Sequence, residues 1–328
     1  MSRPTIAGVA RSAGVSVASV SRVLNGLPAT EEMVERVQRA VQELGYVPDA
    51  RARSLKVGRT FQLTLAVADV GNPVYVTMMR AVEEVVSAAG YRLVVTTTGP
   101  DVVDEVALVR GMARGYADGL VISPLRVDED LIKSIRECEV PVVVAGNVPA
   151  KAGVDTIRAN SPKGMLLAVE HLVSRGRTRI AFLNGPADTV PGTARAKGFA
   201  DALKAHHLKS AGETEAMDFT FAAGRASGGA VLRSKPDAVI AANDLLAVGL
   251  MHELAAAGLD VPGDVAVVGM DDSELAEQCF PPLTSVNLGS AERGRRAAEL
   301  LLARIEDSSR TPRRIVVQPS LSVRRSTP

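Results

Sequence analysis

The chain has 328 residues, of which 46% are hydrophobic and 23% are charged, and its formal net charge is +1. That length supports two or three domains with cores of their own, and the composition is ordinary for a globular protein. Two cysteines, Cys138 and Cys279, are too few for a disulfide scaffold and fit a reducing compartment. The sequence shows no signal peptide and no apolar stretch of about 18 residues, so we expect a cytoplasmic protein and no membrane helix.

Positive charge is concentrated at the N-terminus. Residues 1–60 carry nine Lys and Arg against five Asp and Glu, whereas the remainder carries 29 against 32. A local excess of positive charge is typical of proteins that contact phosphates of nucleic acid. The charge distribution therefore indicates an N-terminal segment that binds DNA or RNA.

Residues 5–25 predict two short amphipathic helices around a turn at Gly14, which takes positive φ without a side-chain clash. Ser16 is placed to cap the second helix. This pattern is typical of a helix-turn-helix, whose second helix presents its first turns to base edges. The competing interpretation is a generic helical hairpin. The outer face of the second helix contains Val17, Ala18, Ser21 and Arg22.

A third helix is predicted over residues 30–44, capped by Thr30 and followed by Gly45. Residues 49–59 are short, basic and rich in alanine, with helix propensity for one or two turns that need a partner to form. We interpret this segment as a hinge. The predicted buried face of the third helix is Met33, Val34, Val37, Val41 and Leu44.

From about residue 62, short apolar runs alternate with helical stretches, as in doubly wound parallel sheets. Two consecutive series predict two similar α/β lobes. A final helix at 290–306 and strands near 313–317 and 321–324 would return to complete both lobes. The predicted strands are 63–68, 93–97, 119–122, 140–145, 155–157, 179–183, 213–217, 238–241 and 265–269. The predicted helices between them are 74–89, 103–115, 128–138, 161–174, 192–206, 222–234 and 243–257.

Ordered motifs along essentially the whole chain resemble the lac repressor (LacI/GalR) family of bacterial transcription regulators. The motifs are residues 5–25, Leu44-Gly45-Tyr46-Val47-Pro48, Ala52-Arg53-Ser54-Leu55, Asp69-Val70-Gly71-Asn72-Pro73, Asp118-Gly119-Leu120-Val121, Pro141-Val142-Val143, Arg195-Ala196-Lys197-Gly198-Phe199, Ala242-Asn243-Asp244, Val261-Pro262-Gly263-Asp264-Val265, Gly269-Met270-Asp271-Asp272 and Pro281-Pro282-Leu283-Thr284-Ser285-Val286. The resemblance implies a three-helix DNA-binding domain, a hinge helix and a two-lobed core like that of periplasmic binding proteins. It also implies a homodimer on a near-palindromic operator, with an effector between the lobes.

The resemblance divides the chain into three parts. Residues 1–47 form the helix-turn-helix domain, 48–60 the hinge and 61–328 the effector-binding and dimerisation core. Within the core, one lobe comprises about 61–159 plus 289–318, and the other about 160–288 plus 319–328.

On the DNA side, the resemblance places Val17 and Ala18 at base-reading positions, where apolar side chains can pack on thymine methyl groups. Arg22 is then the hydrogen-bonding reader. Leu55 aligns with a leucine that wedges into the minor groove, with Ala52 beside it; the alternative is that Leu55 packs on the core. Residues suited to phosphate oxygens are Thr5, Ser16, Ser21 and Asn25.

In the cleft, Asp271, Asn243 and Arg195 match the family's ligand-binding positions, and their donors and acceptors suit a polyhydroxylated ligand. Phe219 matches an aromatic residue on which a sugar ring packs, and Tyr75 and Ser123 are candidates from the first lobe. The competing interpretation of Asp271 is a carboxylate that caps a loop. No metal site or cofactor is expected.

These features predict a sequence-specific repressor of carbohydrate-utilisation genes with a sugar-like effector. Two alternatives remain: a regulator whose effector is a nucleobase or a phosphorylated metabolite, and a sugar sensor without a DNA-binding role. The sequence does not say whether the effector releases the operator or promotes its binding. Catalytic motifs are missing from the sequence, so no enzyme is expected. Three departures from the family pattern bear on affinity: Gly8, Asp49 and Ala159.

Overall fold

The computed structural model describes residues 4–47, 54, 57–99 and 101–327. Contacts divide the chain into two compact units, with the boundary after Thr60. Each unit is built around its own buried apolar residues. In the described ranges, no helix is long and apolar enough to cross a membrane.

The first unit contains α1 (Ile6–Ala13), α2 (Val17–Leu24) and α3 (Glu31–Leu44), which confirms the three predicted helices. Thr30 precedes α3 but makes no side-chain capping bond, and Leu44 is 39% exposed rather than buried. The side-chain cap was therefore a wrong prediction, and so was the burial of Leu44, which lies in the last turn of α3, beyond the fully buried Val37 and Ala40. The core of this unit is Val9, Ala10, Ala13, Val20, Val37 and Ala40.

The ends of the first two helices follow the sequence closely. Thr5 Oγ1 accepts from the Gly8 amide at 3.2 Å, and Ser16 Oγ accepts from the Ser19 amide at 3.1 Å. Each bond satisfies one of the amides that a helix start leaves without an intrahelical partner. Gly14 adopts φ 63°, the left-handed conformation that the turn between α1 and α2 requires. In a capping box, the first residue's side chain bonds to the amide three residues on, and that residue's side chain bonds back. Gly8 keeps the first bond, from its amide to Thr5, and has no side chain to make the second.

The second unit contains two six-stranded sheets in the described residues, with the orders β2-β1-β3-β4-β5-β11 and β7-β6-β8-β9-β10-β12. The two orders are the same, which confirms the two similar α/β lobes. The strands of the first sheet are β1 Gln62–Val67, β2 Arg92–Thr97, β3 Leu120–Ser123, β4 Val142–Val144, β5 Asp155–Ala159 and β11 Arg314–Val317. Those of the second are β6 Ile180–Asn184, β7 Gly212–Glu215, β8 Ala238–Ala241, β9 Ala266–Met270, β10 Thr284–Asn287 and β12 Ser320–Ser322.

Helices cover these sheets because the central strands are apolar on both faces. Leu65 of β1, for example, is fully buried between Val95 and Val121 of its two neighbours. Short 3₁₀ turns at Met112–Arg114 and Ala150–Ala152 complete the first lobe. The helices of this unit are α4 Pro73–Ala88, α5 Val102–Gly111, α6 Glu129–Arg136, α7 Ser161–Ser174, α8 Val190–Ala205, α9 Phe221–Leu232, α10 Asp244–Ala256, α11 Glu274–Gln278 and α12 Ser290–Glu306.

Strands β11 and β12 return one to each lobe, as predicted. β11 pairs in parallel with β5, whereas β12 pairs with β10 in the antiparallel direction, so the second sheet is mixed rather than wholly parallel. After β10 the chain passes through α12 and β11 in the first lobe before it returns as β12. β12 therefore forms the edge strand of the second sheet and runs opposite to β10. β10 and the short helix α11 were missing from the prediction.

The sheet order places a switch point in each lobe, between β1 and β3 and between β6 and β8. Loops leave the carboxyl ends of neighbouring strands in opposite directions there, which opens a crevice. Two candidate residues lie at these strand ends, since Ser123 closes β3 and Asn243 follows β8, and Asp271 follows the neighbouring strand β9.

Candidate functional site

The outer face of α2 is open to solvent in the first unit. Val17 is 45% exposed, and Ala18 and Arg22 are also exposed, while Ser21 is half-buried. The Arg22 guanidinium makes one long hydrogen bond, from Nη1 to the Pro28 carbonyl at 3.4 Å. A helix that reads base edges must expose side chains on its outer face, and α2 exposes Val17, Ala18 and Arg22 in this way.

The polar residues of this unit already take part in its fold. Thr5 and Ser16 cap α1 and α2, and Asn25 Nδ2 donates to the Ser21 carbonyl at 2.6 Å. The bonds of Thr5 and Ser16 lie at the N-terminal ends of α1 and α2, where backbone amides also face an approaching phosphate, whereas Asn25 lies at the C-terminal end of α2. Their contacts with phosphate stay predictions. Ala52, Leu55 and Asp49 lie outside the described residues.

In the second unit, a cleft of about 600 Å³ opens at the carboxyl ends of the parallel strands of both sheets. All of the effector-binding residues predicted from the sequence line this cleft, although their roles remain predictions. They are Tyr75 and Ser123 from the first lobe, and Arg195, Phe219, Asn243 and Asp271 from the second. The volume is in the range of sites that enclose small molecules.

Asp271 and Arg195 form a buried ion pair at the base of the cleft. Arg195 Nη2 lies 3.6 Å from Asp271 Oδ1, and both side chains are less than one-tenth exposed. Burial raises the pKa of Asp271, whereas the charges of Arg195 and Arg293 favour its ionised form. At 3.6 Å the pair is longer than a good charge-assisted hydrogen bond, which leaves both groups capacity for a ligand.

The neighbouring acid, Asp272, has the structural role that was the alternative for Asp271. Asp272 accepts from Ser322 Oγ at 2.7 Å and from Asn287 Nδ2 at 3.2 Å, and it pairs with Arg324 at 2.7 Å. Asp271 makes none of the loop-capping side-chain bonds that the structure describes. Its φ is 104°, which is uncommon for a residue other than glycine, and Asp271 lines the cleft.

Asn243 is engaged on both sides of its amide. Its Oδ1 accepts from the Leu246 amide at 2.9 Å as the cap of α10, and its Nδ2 donates to the Phe219 carbonyl at 2.9 Å. Asn243 therefore anchors the loop that carries Phe219. Gly185 lies beneath that ring so closely that a Cβ there would collide with it, and the Arg195 guanidinium lies 6.0 Å from the ring centroid.

Tyr75 and Ser123 form the opposite wall. Ser123 Oγ donates to the Ala145 carbonyl at 3.1 Å, and Ser123 and Tyr75 both line the cleft. Burial raises the pKa of Tyr75, so its hydroxyl stays protonated and neutral. The wall offers a ligand a neutral hydroxyl and an aromatic ring.

Two lobes meet beside the cleft through contacts that the sequence analysis did not include. Arg126, after β3, makes a bidentate pair with Asp188, before α8, at 2.8 and 2.9 Å. The Val190 amide also donates to the Leu125 carbonyl at 2.7 Å. These bonds join the first lobe to the second at the rim of the cleft.

Asp244 is a buried carboxyl group whose raised pKa should make the stability of the fold depend on pH. Burial, with repulsion from Asp271, raises the pKa of Asp244 to about 7, although Ser273 and Ser285 donate hydrogen bonds to its carboxylate. The folded state then binds this proton more tightly than the unfolded state, whose Asp pKa is about 3.9. The free energy of unfolding should therefore fall as pH rises from about 4 to about 7.

We expect Asp244→Asn to flatten this dependence, since an amide does not ionise. The measurement is urea unfolding of both proteins across that pH range, with Asp260→Asn, at an exposed loop, as the matched control. Parallel stability curves for the wild type and Asp244→Asn would contradict the assignment.

Comparison with known proteins agrees with this architecture. Residues 5–49 match the model of bacterial regulatory proteins of the lacI family, and residues 169–327 match a periplasmic binding protein-like domain. The HTH-type transcriptional regulator CelR of Thermobifida fusca is 37% identical to this chain, over 99% of the chain and 98% of CelR. The chain belongs to the LacI family of bacterial regulators. It is a DNA-binding transcriptional regulator, as the sequence predicts.

Other LacI-family proteins show the same correspondence over the full length. The ribose operon repressor of Escherichia coli is 34% identical over 98% of this chain and 99% of that protein. A crystal structure of the lac repressor dimer bound to operator and the anti-inducer ONPF superposes with a TM-score of 0.90 at 27% identity, covering 99% of each chain. A complex of CelR with cellobiose gives a TM-score of 0.75 at 35% identity, covering 99% of this chain and 100% of that one.

The cleft residues that the sequence analysis missed include two arginines, Arg158 on β5 and Arg293 on α12. Arg293 stands in the run Glu292-Arg293-Gly294-Arg295-Arg296, which is typical of a solvated helix face. The signal that was available is Gly294, because a small residue in a charged helix indicates a close helix contact. A Cβ at Gly294 would meet the Met78 carbonyl oxygen at 2.5 Å, so α12 packs directly on α4 and its first turn reaches the cleft.

Proposed function

We propose that this regulator represses carbohydrate-utilisation genes in the cytoplasm and that a sugar-like effector in the cleft sets its operator affinity. The observation that carries the proposal is the buried Asp271–Arg195 pair beside the Phe219 ring. A carboxylate and a guanidinium hydrogen-bond vicinal hydroxyls, and an aromatic face packs on the apolar face of a sugar ring. The CelR–cellobiose complex supports a sugar as the ligand class.

On the DNA side, we propose that a homodimer binds a near-palindromic operator through α2 of each protomer. The exposed Val17, Ala18 and Arg22 supply base contacts, and the helix ends held by Thr5 and Ser16 supply phosphate contacts. The operator complex of the lac repressor dimer supports this arrangement. The predicted hinge contacts of Ala52 and Leu55 belong to the same proposal and rest on the sequence alone.

The mechanism is thermodynamic linkage. An effector binds the closed cleft with different affinities in the DNA-bound and the free regulator. At saturation it changes the operator affinity by the ratio of those two effector affinities. The Arg126–Asp188 pair and the Val190–Leu125 hydrogen bond join the lobes at the rim, so they stabilise the closed arrangement. Because the effector contacts both walls, its binding adds to the same closure.

The test is operator selection from randomised duplexes by the purified protein at one fixed salt concentration, repeated with a panel of sugars. Enrichment of a palindrome, with retention changed by a sugar, supports the proposal. Adenine, guanine and hypoxanthine belong in the panel, since repressors named PurR are 31% to 34% identical to this chain. A response to a base but to no sugar would make a nucleobase, rather than a sugar, the effector. If no DNA sequence is enriched, the DNA-binding role of α2 is contradicted.

A further inference from the structure

Positive charge exceeds negative charge in the lining of the cleft. Its basic lining residues are Arg158, Arg195, Lys197 and Arg293, and its acidic ones are Asp188 and Asp271. A neutral sugar needs no such excess, because hydroxyls are bound by balanced donors and acceptors. The partners of each charge show how much of the excess is available to a ligand.

Two of the charges are already neutralised outside the cleft. Asp188 accepts two hydrogen bonds from Arg126, and Lys197 Nζ lies 2.6 Å from Asp201 on the same helix. Asp244, which repels Asp271, does not line the cleft and is bonded to Ser273 and Ser285. Three guanidinium groups and the single carboxylate of Asp271 therefore remain to face a ligand in the part of the chain that the structure describes.

The two buried guanidinium groups are incompletely bonded. Arg195 Nε and Arg293 Nε are fully buried nitrogens without a hydrogen-bond acceptor among the described residues. Arg293 donates one bond, from Nη2 to Ser290 Oγ at 3.1 Å, and the Arg195 side chain is only 9% exposed. Burial lowers the pKa of Arg293, and Asp271 opposes that change. An unsatisfied buried cation is costly unless an anion completes its bonds.

Arg158 adds a third donor group from the other lobe. It lies on β5, half-buried, and its side chain has no hydrogen bond or ion pair with any other residue in the described ranges. Arg195 lies on α8 of the second lobe, Arg158 on β5 of the first lobe, and Arg293 on α12, which packs against α4 of the first lobe. A ligand that contacts Arg195 as well as Arg158 and Arg293 would bridge the two lobes.

We propose that the effector carries a compact oxyanion, a carboxylate or a phosphate, which Arg293 and Arg158 bind while Asp271 and Arg195 hold its hydroxyls. A planar guanidinium fork matches the oxygens of either group in bidentate geometry. The inference rests on the proposed function, since it specifies the ligand class of the same cleft. It assigns to Arg293 and Arg158 the selection of acidic or phosphorylated sugars over neutral ones.

The experiment is calorimetric titration of the full-length protein with four probes: D-glucose, D-glucuronate, D-glucose 6-phosphate and inorganic phosphate. We expect anionic probes to bind and glucose to bind more weakly, with the preferred anion distinguishing a carboxylate from a phosphate. Arg293→Met should weaken binding of the anionic probes by about 10- to 100-fold, the loss expected for charge-assisted hydrogen bonds. Arg293→Lys should retain part of the affinity because it retains the charge.

The matched control is Arg296→Met, three residues along α12, where the guanidinium pairs with Glu292 and Glu299 outside the cleft. It should bind the anionic probes like the wild type. Circular dichroism verifies folding, and Arg158→Met replaces Arg293→Met if the latter does not fold. Absence of anion binding, or equal anion affinity in the wild type and the cleft variants, would overturn the inference.

Failure of the inference and failure of the proposed function give different results. Binding of glucose alone, with a selected operator that responds to it, would overturn the anionic ligand and leave the regulator intact. Anion binding that depends on Arg293, without any selected operator, would support the ligand class and contradict the proposed DNA-binding role.

Discussion

Replacing Asp271 with asparagine is expected to lower effector affinity by about 10- to 100-fold, because hydrogen bonds to a charged acceptor contribute about 1.5–3 kcal/mol each. Asparagine is the appropriate replacement since it tolerates positive φ, and Asp271 has φ 104°. Alanine there would add backbone strain to the loss of the carboxylate.

The same substitution is also expected to lower the stability of the free protein at neutral pH. It removes the negative charge that faces the buried guanidinium groups of Arg195 and Arg293, and a buried cation that loses its partner is costly. Calorimetry gives the affinity, and thermal unfolding gives the stability.

Asp272→Asn is the matched control, since Asp272 is bonded to Ser322 and paired with Arg324. It should destabilise the second lobe and leave a folded cleft able to bind. If Asp271→Asn lost stability and kept full effector affinity, Asp271 would be the structural residue and the cleft assignment would be wrong.

Replacing Arg22 with alanine is expected to weaken binding to the selected operator by about 1–3 kcal/mol, the discrimination of one bidentate contact with a base. Arg22 is exposed on α2, and its one hydrogen bond to the residues that the structure describes is the long one to Pro28, so its loss should not unfold the first unit. The loss should be confined to one base pair of each half-site, with relaxed selection at that position.

Arg39→Ala, on the exposed face of α3, is the matched control for the loss of one positive charge. Competition binding with operators mutated at each position separates the two variants. A uniform loss of affinity across all sequences for Arg22→Ala would make it a phosphate contact rather than a base-reading residue.

Much of the fold could be predicted because its signals are local. Apolar runs such as residues 238–241 form the central strands, and Gly14 and Ser16 determine the helix-turn-helix geometry. β10 lacked such a signal, since its Thr284 and Ser285 are polar residues that are fully buried. Their burial depends on hydrogen bonds to Ser326 and Asp244, which are distant in sequence.

The candidate site shows the same division. Asp271 and Arg195 follow motifs that the sequence displays, and the structure brings them within 3.6 Å of each other. Arg293 was missed, because its position depends on the packing of α12 against α4, and Gly294 is the one local sign of that packing that we identify. The Arg126–Asp188 contact also joins residues from two lobes, and neither residue belongs to a local motif.

The central claim is that a ligand in the cleft controls DNA binding. The measurement is the affinity of the full-length protein for its selected operator, without ligand and at ligand saturation, with the ligand affinity measured with and without operator. The first ratio is that of the operator affinities with and without ligand, and the second is that of the ligand affinities with and without operator. Linkage predicts that these two ratios are equal and differ from one by about fivefold or more. Equal operator affinity in both conditions, with the cleft occupied, would contradict the account.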